Sequence, residues 1–187
     1  MKDKKKKEDR SVPGKLDFDA VIFEGKSLET CMLVLKSTED PVIIKALSSI
    51  NNYAVKAVEN LQKLYTVGLI EILFPLIQHN DIYVKRFSTK IIAEMCSVED
   101  AKNFLISSGE HVNLFMEMLQ KDTDVVVQEF CSLVLAELST VHAVCATLLD
   151  SEIPHVLLIR ITSPDPDVQK NSLESPYVRP LSPWYSF

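Results

Sequence analysis

The chain has 187 residues, of which 47% are apolar and only four are glycine, and it carries a net charge of −6. That is enough apolar material for a core, too little glycine for a turn-rich β fold, and the wrong sign of charge for a nucleic-acid surface. The charge is uneven: Met1–Arg10 holds six basic and three acidic residues, net +3, leaving −9 on the remainder. No apolar run is long enough to span a membrane, and the polar N-terminus lacks the apolar stretch of a secretory signal.

In chain order, residues 1–19 read as a disordered basic arm, too charged to bury a core and broken by Pro13-Gly14. Lys4–Lys7 would serve either as a nuclear localisation signal or as plain solvated charge, the commoner role of short basic runs. From Ser27 onward the sequence reads almost continuously as amphipathic helix.

Four segments then repeat: Glu39-Asp40-Pro41-Val42, Asp81-Ile82-Tyr83-Val84, Asp124-Val125-Val126-Val127 and Asp165-Pro166-Asp167-Val168, with starts 42, 43 and 41 residues apart. A period in this range belongs to helical solenoids or to propellers, and four glycines cannot supply the turns of propeller blades. With the acidic residue as position 1, position 4 is Val42, Val84, Val127 and Val168, and position 8 is Ala46, Ser88, Cys131 and Ser172. Position 12 is Ile50, Ile92 and Leu135, and position 15 is Tyr53, Met95 and Leu138. Steps of four, four and three lie on one helix face, so these residues are expected in the core, with a small residue where a neighbouring helix approaches. The leading acid suits a helix N-terminus, where it caps free N–H groups.

Two more apolar stretches follow each of these helices. Leu61–Val67 is matched by Ala101–Ser107, and Leu69–Ile77 by Val112–Leu119 and Ile153–Ile161. Gly68 and Gly109 stand between the two stretches and are expected to make sharp turns. Pro154 is placed to open its helix, whereas Pro75 falls late enough to bend or shorten one. Three helices per unit give a domain plan: a partial unit at 20–38, repeats at about 39–80, 81–123 and 124–164, and a partial unit at 165–174. Residues 175–187 contain Pro176, Pro180 and Pro183 and read as a disordered tail, whose Tyr177, Trp184, Tyr185 and Phe187 could fold back on the last unit.

Cys31, Cys96, Cys131 and Cys145 show no CxxC spacing and sit among apolar neighbours, as reduced core residues of a cytosolic protein do. His79, His111, His142 and His155 have no metal-ligand spacing, Ser107-Ser108-Gly109 reads as a helix-to-helix turn, and no phosphate-binding glycine loop occurs. No catalytic, cofactor or metal site is therefore assigned.

The order of acid, valine, small residue, Ile/Leu and a last apolar residue resembles the long third helix of the armadillo repeat, and Ser151-Glu152-Ile153-Pro154 keeps the proline of that family's inter-helix turn. The resemblance runs from about Ser27 to Leu173. It implies an all-α, right-handed superhelix whose third helices line a groove for a peptide or partner protein. It also implies a longer array, so the stop near Glu174 reads as a truncated or alternatively ended form, and it admits a cytoplasmic, cilium- or flagellum-associated setting.

Import adaptors of this fold carry Trp and Asn at positions 10 and 14 of the third helix. Here position 10 is Ser48, Lys90 and Leu133, position 14 is Asn52, Glu94 and Glu137, and only Asn52 agrees. The partner-facing set is thus Ser48, Asn52, Lys90, Glu94, Leu133 and Glu137 on a non-enzymatic protein-binding scaffold. The rival is a nucleocytoplasmic transport or transcriptional adaptor that holds a basic peptide on Glu94 and Glu137. Neither reading calls for nucleic acid, membrane or cofactor. An array without a polar cap is expected to leave Ile153, Val156 and Ile159 partly exposed at its end and, where the aromatic tail does not cover them, to offer a self-association surface there.

Overall fold

A computed structural model describes residues 28–141 and 151–175. The expectations for the basic arm, His142, Cys145 and the aromatic tail fall outside those residues. The described chain is helical throughout, without a strand: α1 (Leu28–Val34), α2 (Asp40–Ala54), α3 (Val58–Thr66), α4 (Leu69–Leu73) with a 3-10 turn (Phe74–Gln78), α5 (Ile82–Met95), α6 (Glu99–Ser107), α7 (Gly109–Lys121), α8 (Val125–Leu138), α9 (Ile153–Arg160) and α10 (Pro166–Glu174).

Long helices stack on long helices. α5 packs between α2 and α8, and α10 packs on α8. Helices of this length are marginal alone in water, so the stack must supply their stability. Adjacent residues show the double coverage: Ile91 and Ile92 of α5, Val126 and Val127 of α8, and Val134 and Leu135 of α8 are all fully buried. Neighbours in sequence point about 100° apart around a helix, so both flanks are covered.

The local breaks follow from backbone chemistry. Gly68 closes α3 at φ 79, a conformation that an added Cβ would strain. Pro75 has no N–H to continue a helix; α4 stops at Leu73 and the chain tightens into the 3-10 turn. Pro154 stands in the first turn of α9. Gly109 corrects the expectation made for it. It does not adopt positive φ but starts α7, and the turn is made by Ser108 in an extended conformation (φ −120, ψ 115).

The acids at position 1 are N-caps. Asp81, Asp124 and Asp165 each accept the backbone N–H groups two and three residues ahead, while Glu39 caps α2 without a side-chain bond. A second periodic feature accompanies them. The side chain two residues earlier, Ser37, His79, Asp122 or Ser163, accepts the N–H of the cap residue itself at 2.9–3.2 Å. At position 5, Gln128 and Gln169 donate back to the carbonyls of Asp122 and Ser163.

Charge ties one unit to the next. Arg86 of α5 reaches the Asp124 carboxylate through Nε at 3.1 and 3.2 Å and Nη2 at 2.6 Å, with the two side chains 9% and 15% exposed. Beside it, Lys85 pairs with Asp122 at 2.9 Å. Asn171 of α10 donates to the Glu129 carbonyl and Ser132 Oγ of α8, and Arg160 of α9 caps carbonyls in the last turn of α7 at Leu119 and Gln120.

The core positions hold in the second and third long helices but shift at the ends of the first. Val84, Val127 and Val168 are fully buried, whereas Val42 is exposed, with Ile43 buried instead. Likewise Tyr53 is half-buried and Ala54 takes the inner place. Among the described residues only the short α1 precedes α2, so the ends of α2 have less to bury against. At the other end, Ile153 and Val156 are buried, not exposed, because α7 and α10 pack on α9; Ile159 alone of the three is exposed.

Cys31, Cys96 and Cys131 are free and buried. Desolvation, reinforced by the Glu137 and Glu94 charges and opposed by Lys102, raises the Cys96 thiol to about 12 from its ordinary 9.0. Burial also pushes Cys131 upward.

Two outcomes follow. Asp124→Ala removes two cap bonds and the bidentate partner of Arg86, and it should cost about 3 kcal/mol by urea denaturation. Asp124→Asn, which keeps an acceptor for the cap but loses the charge, should cost less than Asp124→Ala; equal losses would mean that the cap bonds contribute nothing, and no loss for Asp124→Asn would mean that the charge contributes nothing. For Cys96, the unfolded thiol ionises near 9.0 and the native one at about 12. Its contribution is complete below 9.0 and is lost as pH rises through that window. The stability difference between the native chain and Cys96→Ala should fall by about 1.4 kcal/mol per pH unit above the lower value. A flat difference would contradict the assignment.

Candidate functional site

Positions 10 and 14 lie one helical turn apart, so on α2, α5 and α8 they form short rows at repeat spacing. Five of the six residues expected to face a partner, Asn52, Lys90, Glu94, Leu133 and Glu137, are half-buried, leaving part of each side chain accessible. Ser48 is the correction: it is 3% exposed. From this position lysine and leucine are long enough to reach the surface, whereas a serine hydroxymethyl stays beneath it.

The row has its own contacts. Lys90 Nζ of α5 lies 5.7 Å from the centroid of the Phe130 ring of α8, a cation–π distance that bridges the two helices. Glu137 pairs with Lys102 of α6 at 2.8 Å, the carboxylate side chain 40% exposed and the lysine 15%. The carboxylate end of this pair is accessible, so a ligand can compete with Lys102 for it. Leu133 packs against the core with one flank and offers the other outward. Glu94 lies close enough to Cys96 to disfavour its thiolate. The rows therefore present an amide, a cation, an apolar patch and two carboxylates, one of them already engaged: a surface for mixed polar and apolar contacts.

Among the described residues no three His, Cys, Asp or Glu side chains gather as metal ligands. His79 Nδ1 accepts the N–H of Asp81. The His111 ring lies against Phe74 and Phe104, with centroids 4.2 and 5.1 Å away. No helix among the described residues is long and apolar enough to cross a membrane.

Sequence reasoning missed the Arg86–Asp124 and Lys102–Glu137 pairs. Each joins residues 38 or 35 positions apart, and only the repeat period, applied to charges as well as to apolar residues, would have found them.

No family model matches the chain. The chain is 34% identical over 171 residues to human Armadillo repeat-containing protein 3, a match that covers 91% of this chain and 20% of that protein. It therefore spans about one fifth of that relative's length. A designed armadillo repeat protein superposes with a TM-score of 0.71 at 22% identity, covering 83% of this chain and 64% of the other. Another, solved in complex with the peptide (KR)4, gives a TM-score of 0.69 at 20% identity over 79% of this chain and 62% of the other. The 42-residue phase, the stacked long helices and these likenesses together give the chain the armadillo-repeat fold.

Proposed function

We propose that the chain is a non-enzymatic scaffold that holds a peptide or partner protein across α2, α5 and α8, on Asn52, Lys90, Glu94, Leu133 and Glu137. The observation that carries this reading is their recurrence, half-exposed, at position 14 of three successive stacked helices and at position 10 of two of them. Regular spacing on a rigid stack lets an extended ligand meet equivalent contacts from one unit to the next at little cost in ordering the receptor. A designed protein of the same fold was solved with a (KR)4 peptide, and others were designed for modular peptide recognition, which supports a peptide as the ligand class.

The charges bear on which peptide. A uniformly basic ligand, as the adaptor reading requires, would meet Glu94 but also Lys90, and it would compete with Lys102 for Glu137. A ligand with apolar anchors and charges of both signs fits the row better.

Peptides selected from a displayed random library against the chain test the proposal. Their affinity, read by fluorescence anisotropy, should fall at least about tenfold for Glu94→Lys and for Leu133→Ala, the scale of a modest interface hot spot. It should hold for Gln120→Ala on the exposed side of α7, with helicity checked for every variant. Undiminished binding to both groove variants would overturn the site. In a parallel titration, micromolar and salt-sensitive binding of a (KR)4 peptide would favour the basic-peptide adaptor instead.

A further inference from the structure

Exposed large apolar side chains are not spread evenly. Of the eight among the described residues, five (Leu33, Val42, Val55, Val58 and Val67) fall at the leading end of the array. There α1, the end of α3 and α4 form a groove of about 400 Å³ lined by Leu28, Met32, Leu33, Lys36, Val67 and Ile72. Leu33 is 70% exposed and Val67 49%. An apolar groove this open is normally covered by something.

We propose that the occupant is the chain's own segment Phe18-Asp19-Ala20-Val21-Ile22-Phe23, which docks in this groove and closes the leading end. The segment lies outside the described residues, and three features of the chain select it. The first is composition: Ala20–Phe23 is the one run of four consecutive apolar residues ahead of Leu28. The second is reach. Only Glu24-Gly25-Lys26-Ser27 separate Phe23 from the groove residue Leu28, and four extended residues span up to about 14 Å. The seven-residue α1 is about 10 Å long, so the α1 side of the groove lies within that reach. Gly25 within that connection permits a reversal of direction.

The third is charge. Asp17, Asp19 and Glu24 flank the apolar run, and Lys36 stands on the groove rim. The short tether also raises the local concentration of the segment to about the millimolar range, above that of a second copy in dilute solution. The groove and its occupant are independent of the partner-binding rows on α2, α5 and α8.

A benzophenone-bearing amino acid in place of Leu33, in the full chain, provides the test. Leu33 is mostly exposed, so the replacement leaves the core intact. Trypsin cuts after Lys15 and Lys26 and releases Leu16–Lys26 as one identifiable peptide. Irradiation should join position 33 to that peptide at monomer mass, and dilution should leave the yield unchanged. The double change Phe18→Asp and Phe23→Asp should cut the yield at least about tenfold, since each phenylalanine loses its apolar burial, while the melting temperature shows that the array still folds. A crosslinked dimer would assign the groove to a second copy and overturn the proposal. So would a monomer crosslinked elsewhere, no crosslink at all, or a yield indifferent to the double change.

Discussion

No single unit of this chain can bury both flanks of its long helix, and everything else in the structure answers that constraint. In α5 and α8, residues adjacent in sequence are sealed on both sides, as at Ile91-Ile92 and Val126-Val127. Each such side chain contributes about 1.5–3 kcal/mol when fully buried, and only the preceding and following units together provide the cover. The small residues Ala46, Ser88, Cys131 and Ser172 are buried where long helices approach each other. The same requirement explains the ends. Val42 and Leu33 stand exposed at the leading end, whereas Ile153 and Val156 are sealed because α10 supplies one more turn of the pattern.

Apolar burial alone is weakly directional, and at the start of α8 polar groups define the register against α5 more narrowly. Asp124 serves two units at once: it caps α8 through Val126 and Val127 and receives Arg86 from α5. Charge-assisted bidentate bonds have narrow geometry, so a slip between the two helices would break cap and pair together. The acceptors at Ser37, His79, Asp122 and Ser163 fix the turn that leads into each cap. A rigid stack built this way holds accessible side chains at a regular spacing, which is the physical basis for reading α2, α5 and α8 as a ligand-binding face.

Much of this was legible in the sequence, because the determinants repeat. The acid-to-acid spacing of 41 to 43 residues located the long helices, and valine, small, Ile/Leu and a last apolar residue located their buried face. What the sequence hid was non-periodic or long-range. Val42 occupies the same register as Val84 yet is exposed, since exposure there depends on what precedes α2 and not on the residue itself. Ser48 matches Lys90 in register but not in length, and it ends up buried. Gly109 looked equivalent to Gly68, but an extended Ser108 made the turn instead. Of the candidate face, the positions were readable, while the engagement of Lys90 with Phe130 and Glu137 with Lys102 depended on side chains brought in from other helices.

Native-state hydrogen exchange followed by mass spectrometry, across a range of sub-denaturing urea, tests the central claim most directly. If mutual burial of stacked long helices holds the array together, amides of α5 and α8 should share the highest protection and lose it in one transition, at the free energy of global unfolding. Loss of protection in α5 well below the urea concentration that opens α8 would contradict it, because each helix would then be stable without the other.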